Sequence, residues 1–200
     1  MRKKSKTFMI AVTMAILLSI FASWILNMEL NGNYSRAGDF YGASKEVSLE
    51  EMTEIADIKN ISIYLPSTLP NNLTMTAIYL QEAPFIVIVV YSAEGNKDYK
   101  TAELGIQLTQ IPSEFIPTYE QLKSQVEYSE FESALEINGW PVKVNEKASS
   151  GGDPEFREKY GDYTLLVWVW IEEVGYTICA PTLGTEEAVQ LVGSMILITS

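Results

Sequence analysis

Few residues in this chain are equipped for chemistry, and the commonest are missing. Its 200 residues include one cysteine, Cys179, and no histidine. Without histidine there is no ordinary general base near neutral pH, no usual second member of a nucleophilic triad, and none of the commonest zinc ligand. One thiol cannot form a disulfide within one chain. Cys179 lies in the apolar run 176–180, where a thiol reads as a small buried hydrophobe. Serine–lysine or carboxylate-pair chemistry remains open; a carboxylate hydrolase would need a cleft with two convergent acids and a raised pKa. The composition favours a protein that is not an enzyme and calls for no cofactor or metal.

Three groups of residues could bind rather than react. Trp140, Trp168 and Trp170 form an aromatic concentration with Tyr163 and Tyr176. Trp168 and Trp170 are two apart on an expected strand, so they share one face with Leu166. That face is either a platform for stacking sugar rings or a peptide, or core beneath a terminal helix, and core is the expectation. Asp153, Glu155, Glu158 and Asp162 offer oxygen ligands, but their spacing is not that of a calcium loop and Arg157 and Lys159 interleave with them. A solvated helix face is expected there. Asn33, Asn60 and Asn72 open N-x-Ser/Thr sequons that could accept glycans on an exported chain.

The start of the chain bears on where these groups act. Arg2, Lys3, Lys4 and Lys6 precede an uncharged stretch, 8–26, interrupted by Thr13, Ser19 and Ser23. As a helix it would be about 28 Å long, matching the hydrocarbon depth of a bilayer. Trp24 near its outer end suits the headgroup region. Signal cleavage would require small residues at the exit, yet Phe21 or Ile20 would occupy the −3 position, and no lipoprotein cysteine follows. The expectation is a cytoplasmic basic leader (1–7), a transmembrane anchor contacting membrane lipid (8–26), a flexible tether (27–46) carrying Gly32, Gly38 and Gly42, and an extracytoplasmic domain (47–200). All 26 acidic residues follow the apolar stretch, as do all but four of the 14 basic ones, leaving the exported part near −16. Such a surface repels phosphates, so nucleic acid is excluded as a partner.

The exported part alternates short apolar runs with turns. Ser48 and Glu51 have capping-box spacing, with Val47 and Met52 placed as a hydrophobic staple. Leu49, Met52, Ile55 and Ala56, continuing to Ile58, give the helix an apolar face. Ile61, Ile63 and Leu65 alternate before two pre-proline residues, and 73–80 predicts a strand. The run 85–91 (FIVIVVY) predicts a strand covered on both faces. Leu104, Ile106 and Leu108 place one side of the next strand in the core. A short helix capped by Thr118 follows, then a hairpin turning at Asn138-Gly139, a helix opened by Asp153-Pro154 and closed by Gly161, and a second hairpin through 163–172 and 175–180. A last helix is expected with Thr185 as cap and Ala188, Leu191, Val192 and Met195 inward. These elements predict an α+β domain: six or seven strands, a mostly antiparallel sheet flanked by N- and C-terminal helices, preceded by one transmembrane helix.

The capped Leu-Glu-Glu helix, Ile61-Ser-Ile-Tyr-Leu65-Pro-Ser-Thr-Leu69-Pro, the strand ending at Tyr91, Ile137-Asn-Gly139, Leu166-Val-Trp168-Val-Trp170 and the closing Thr185-Glu-Glu-Ala188 helix together resemble the DUF4367 family. This is a domain of unknown function at the outer side of anchored proteins in Gram-positive bacteria and archaea. The likeness spans roughly 47–196. It implies envelope sensing or binding, and because no catalytic residues are defined for the family, none is carried over. Some relatives stand near anti-sigma factors, but a leader of 1–7 has no room for a sigma-binding domain. The leading expectation is a non-enzymatic binding or sensing domain facing wall polymer, cations or an envelope protein; the alternative is a structural accessory subunit of an envelope complex.

Overall fold

The computed structural model describes residues 43–150 and 153–199. The expected leader, the anchor at 8–26, most of the tether and Asn33 lie outside them. No helix among the described residues is long and apolar enough to cross a membrane.

Ten strands and four α-helices follow one another among the described residues. They are β1 (Lys45–Glu46), α1 (Leu49–Ile58), β2 (Tyr64–Pro66), β3 (Thr74–Glu82), β4 (Phe85–Ser92), β5 (Leu104–Gln110), α2 (Tyr119–Val126), β6 (Glu132–Ile137), β7 (Trp140–Ser149), α3 (Pro154–Tyr160), β8 (Tyr163–Ile171), β9 (Val174–Cys179), α4 (Thr185–Gly193) and β10 (Met195–Leu197). Eight strands form one sheet in the order β1-β3-β4-β5-β9-β8-β7-β6, and β10 pairs with β2 in a second. Every pairing is antiparallel. The α+β class is therefore as the sequence predicts, with more strands than the six or seven expected.

Period-two alternation divides the large sheet into two faces. The inner face carries Val87, Val89 and Tyr91 of β4, Leu104, Ile106 and Leu108 of β5, Tyr176 and Ile178 of β9, Val167 and Val169 of β8, and Val142 and Val144 of β7. Met52 and Ala56 of α1 and Ala188, Leu191 and Val192 of α4 close over the same cluster. Both terminal helices thus lie on one side of the sheet. The outer face is covered unevenly. The loop after β4 brings Tyr99 and Ala102 onto Ile88 and Val90, so β4 is buried on both faces as its unbroken apolar run predicts. Leu122 and Val126 of α2 are buried against β6 and β7, apart from the inner cluster.

Local signals explain most boundaries. Ser48 Oγ accepts from the Glu51 amide at 3.1 Å, but the Glu51 carboxylate reaches Lys45 Nζ at 2.9 Å instead of closing the box. The complete box is at α2, where Thr118 and Gln121 bond each other's backbone amides. Asn138 and Gly139 take φ of 55° and 81°, the two positive values a primed hairpin turn requires.

Several expectations are corrected. Lys45 and Glu46, assigned to the tether, pair with Leu80 and Tyr79 instead, because the exposed edge of β3 supplies partners for otherwise unbonded backbone. Leu49 and Ile58 are 43% and 85% exposed, since α1 docks on a narrow stripe through Met52 and Ala56. The last helix is capped by the Glu187 carboxylate, which accepts from the Gly184 amide at 2.9 Å; Thr185 is its first helical residue and bonds Glu146. It ends at Gly193, so Met195 packs inward from β10 rather than from the helix.

Candidate functional site

The three tryptophans separate. Trp140 pairs with Ile137 on the inner face and meets the Tyr64 ring edge-on at 5.5 Å. Trp168 and Trp170 project from the outer face with Leu166, opposite the side on which both terminal helices pack. The expected core beneath a terminal helix is therefore wrong for this pair, and the three-tryptophan platform reduces to two. Trp168 and Trp170 are partly exposed.

Their surroundings follow from register. Trp168 pairs with Thr177 on one side and Lys143 on the other, and Thr177 pairs with Gln107 of β5. Trp170 pairs with Gly175, and Gly175 with Thr109. An added Cβ on Gly175 would meet Ile111 Cδ1 at 3.3 Å and Trp170 at 3.8 Å, so the missing side chain is the space those two groups occupy. Lys143 Nζ bonds Glu132 at 3.0 Å and sits 5.5 Å from the Trp168 ring centroid. The strip therefore combines two indoles with uncharged donors and acceptors, Gln107, Thr109 and Thr177, and one neutralised cation. Gln107 Nε2 bonds Thr109 Oγ1 at 3.3 Å, so the polar floor is partly self-paired.

Next to the strip, past Leu166 and Gln107, the outer face sinks into a groove. Its floor is Gly105, Cys179 and Ile88, and its walls include Tyr99 from the loop after β4 and Phe156 from α3. Its cavity volume is about 40 Å³. The loop wall is fixed by its own side chains. Asn96 Oδ1 accepts from the Asp98 amide at 2.9 Å, Asp98 Oδ1 accepts from the Lys100 amide at 3.0 Å, and Thr76 Oγ1 donates to the Asn96 carbonyl at 2.6 Å. Tyr99 rests edge-on against Tyr79 at 5.8 Å. The opposite wall is tied to this loop, because Tyr160 Oη and Lys159 Nζ both donate to the Thr101 carbonyl at 3.0 Å. Burial pushes the Tyr160 hydroxyl up, opposed by Lys159, and the hydrogen bond to Tyr160 raises the Lys159 ammonium. Both ends of the loop are thus held by the protein's own side chains.

The remaining candidates do not gather. Cys179 is buried, as its apolar run predicts, with Sγ 3.8 Å from Thr164 Oγ1. Asp153 caps α3 by accepting from the Glu155 and Phe156 amides, and Asp162 accepts from Arg157 Nε at 3.0 Å. No group of acidic or cysteine side chains that could hold a metal occurs among the described residues. Asn60 and Asn72 are exposed at positive φ, 56° each. Sequence reasoning missed Gly105, Tyr99 and Phe156. A glycine between Leu104 and Ile106, near the start of an alternating strand, was the available signal.

The chain matches no protein-family model, and neither a curated protein nor a solved structure is similar to it. The DUF4367 resemblance is neither supported nor opposed by that result.

Proposed function

We propose that this chain is a non-enzymatic binding domain displayed outside the cell membrane, and that it holds a neutral stretch of wall glycan along the Trp168–Trp170 strip. Display follows from the basic leader and the uncharged stretch 8–26. The observation that carries the binding reading is the placement of two adjacent indoles on the sheet face that neither terminal helix covers. Apolar sugar faces stack on aromatic rings, while Gln107, Thr109 and Thr177 offer hydroxyl partners beside them. An exported charge near −16 from 26 acidic residues turns polyanionic wall polymers away. A neutral glycan is the polymer this chemistry accepts.

The test uses soluble oligomers of N-acetylglucosamine and the intrinsic fluorescence of the full chain. A saturable change in emission is expected, lost in Trp168→Ala and Trp170→Ala and kept in Trp140→Phe, whose ring lies on the other face. Saturable binding that survives loss of both outer tryptophans would overturn the strip as the seat. Cleavage of the domain by protease added to intact cells checks display; resistance until lysis would overturn it.

A further inference from the structure

The glycines at 105 and 175 occupy neighbouring strands and the same outer face, yet their surroundings differ. Gly175 makes room for Ile111 and Trp170, whereas an added Cβ on Gly105 would find nothing within 4 Å. Its φ lies outside the left-handed range that favours glycine, so no backbone requirement explains it. Glycine weakens a strand interior, and where it persists it commonly marks a bulge or the close approach of another group. The pairing of β5 with β4 runs through Gly105 and that with β9 ends at it, neither with a register shift, so no bulge accounts for the glycine. No group among the described residues takes the space either. What remains is the floor of a groove between Tyr99 and Phe156, with Ile88, Leu166 and Cys179 around it.

We propose that this groove is a second binding site, separate from the tryptophan strip, and that it takes the compact apolar end of a small uncharged or zwitterionic molecule resting on Gly105. The walls name the class. Tyr99, Phe156, Ile88 and Leu166 match an apolar ring or branched aliphatic group. Lys100 and Asp153, one of each sign, line the same groove and leave it without a charge preference strong enough to recruit an ion. The loop wall is preorganised by the Asn96 and Asp98 side-chain bonds, which limits the ordering a ligand must impose.

The protein carries its own reporter, because its one cysteine lines the groove. The full chain in phospholipid nanodiscs is alkylated with N-ethylmaleimide, and the rate at Cys179 is followed by intact mass while indole, and separately cyclohexanol, is added. Indole is expected to slow labelling saturably with a dissociation constant on the order of 1 mM, ordinary for so small a ligand. At ten times that concentration the rate should fall about tenfold. Gly105→Val sets its Cβ in open space and its methyls into the groove, so it should keep or raise the thermal midpoint, slow labelling by itself and abolish the effect of indole. The Trp168→Ala, Trp170→Ala double variant should still be protected, which separates this site from the strip. A folded Gly105→Val chain that indole protects as well as wild type would overturn the proposal, as would a wild-type labelling rate indifferent to both probes up to 10 times that constant.

Discussion

Along β5, Leu104, Ile106 and Leu108 are wholly buried beneath α1 and α4, while Gly105, Gln107 and Thr109, each one residue away, are partly exposed on the other face. The same contrast crosses β8, where Val167 and Val169 are inaccessible and Leu166, Trp168 and Trp170 are partly exposed. The inner face is aliphatic apart from Phe85, Tyr91 and Tyr176, with Trp140 packed partly buried against it. The outer face mixes indole, amide, hydroxyl and glycine. One face is therefore committed to stability, and the other is the one to which we assign recognition. Any substitution pair that straddles a strand tests this division.

The largest difference should come from neighbours on β5. Ile106→Ala removes a side chain with no exposed surface and leaves a cavity, costing about 3 kcal/mol. Gln107→Ala, on the outer face, gives up one side-chain bond to Thr109 and should change stability by less than about 1 kcal/mol. Urea unfolding followed by circular dichroism reads both. Equal losses would erase the distinction between the faces.

A smaller effect sharpens the account of the inner face itself, which holds two buried tyrosines. The Tyr176 hydroxyl accepts from the Tyr64 amide at 2.9 Å. The Tyr91 hydroxyl is buried without a hydrogen-bond partner among the described residues. Tyr176→Phe should therefore cost about 1–2 kcal/mol by orphaning a backbone donor, whereas Tyr91→Phe should be neutral or stabilising by up to about 1 kcal/mol. Burial raises both hydroxyls above the ordinary tyrosine value. Above pH ~10 the unfolded chain sheds protons that the folded chain retains, so stability present below that pH is lost as pH rises. Each tyrosine adds up to about 1.4 kcal/mol per pH unit to this decline, and each phenylalanine variant should remove its share. Alkaline unfolding curves that coincide for wild type and both variants would show that these hydroxyls are not held as described.

The inner face was legible in the sequence because it is written in period-two runs: Leu104, Ile106 and Leu108, or the unbroken apolar run of β4, leave little choice. Capping at Ser48, Thr118 and Asp153 was equally local. What escaped was long-range pairing. Lys45 and Glu46 carry no strand signal of their own, and Met195 reads as the next turn of α4 until β2 supplies its partner. The tryptophans escaped for a related reason. Periodicity placed Trp168 and Trp170 on one face, but which face the helices would cover depends on the handedness of connections far apart in the chain. The groove was hidden more deeply, since its walls come from the loop after β4 and from α3, brought together only in the folded sheet.

The finest test of the contrast lies in single carbon atoms on the outer face. Gly175→Ala sets a methyl 3.3 Å from Ile111 Cδ1. That atom is the flexible end of a side chain, so it can yield, and the strain should offset the gain of about 0.5–1 kcal/mol that alanine brings to a strand interior. Gly105→Ala sets its methyl in open space and should keep that gain entire. The two variants differ by one carbon on paired strands, with the same backbone conformation class and the same solvent face. A thermal midpoint raised by Gly105→Ala and unmoved or lowered by Gly175→Ala shows that the glycine at 105 is retained against stability. That is the signature of space kept for a ligand. If both variants shift the midpoint alike, the emptiness above Gly105 has no consequence, and the outer face is merely under-packed rather than built for binding.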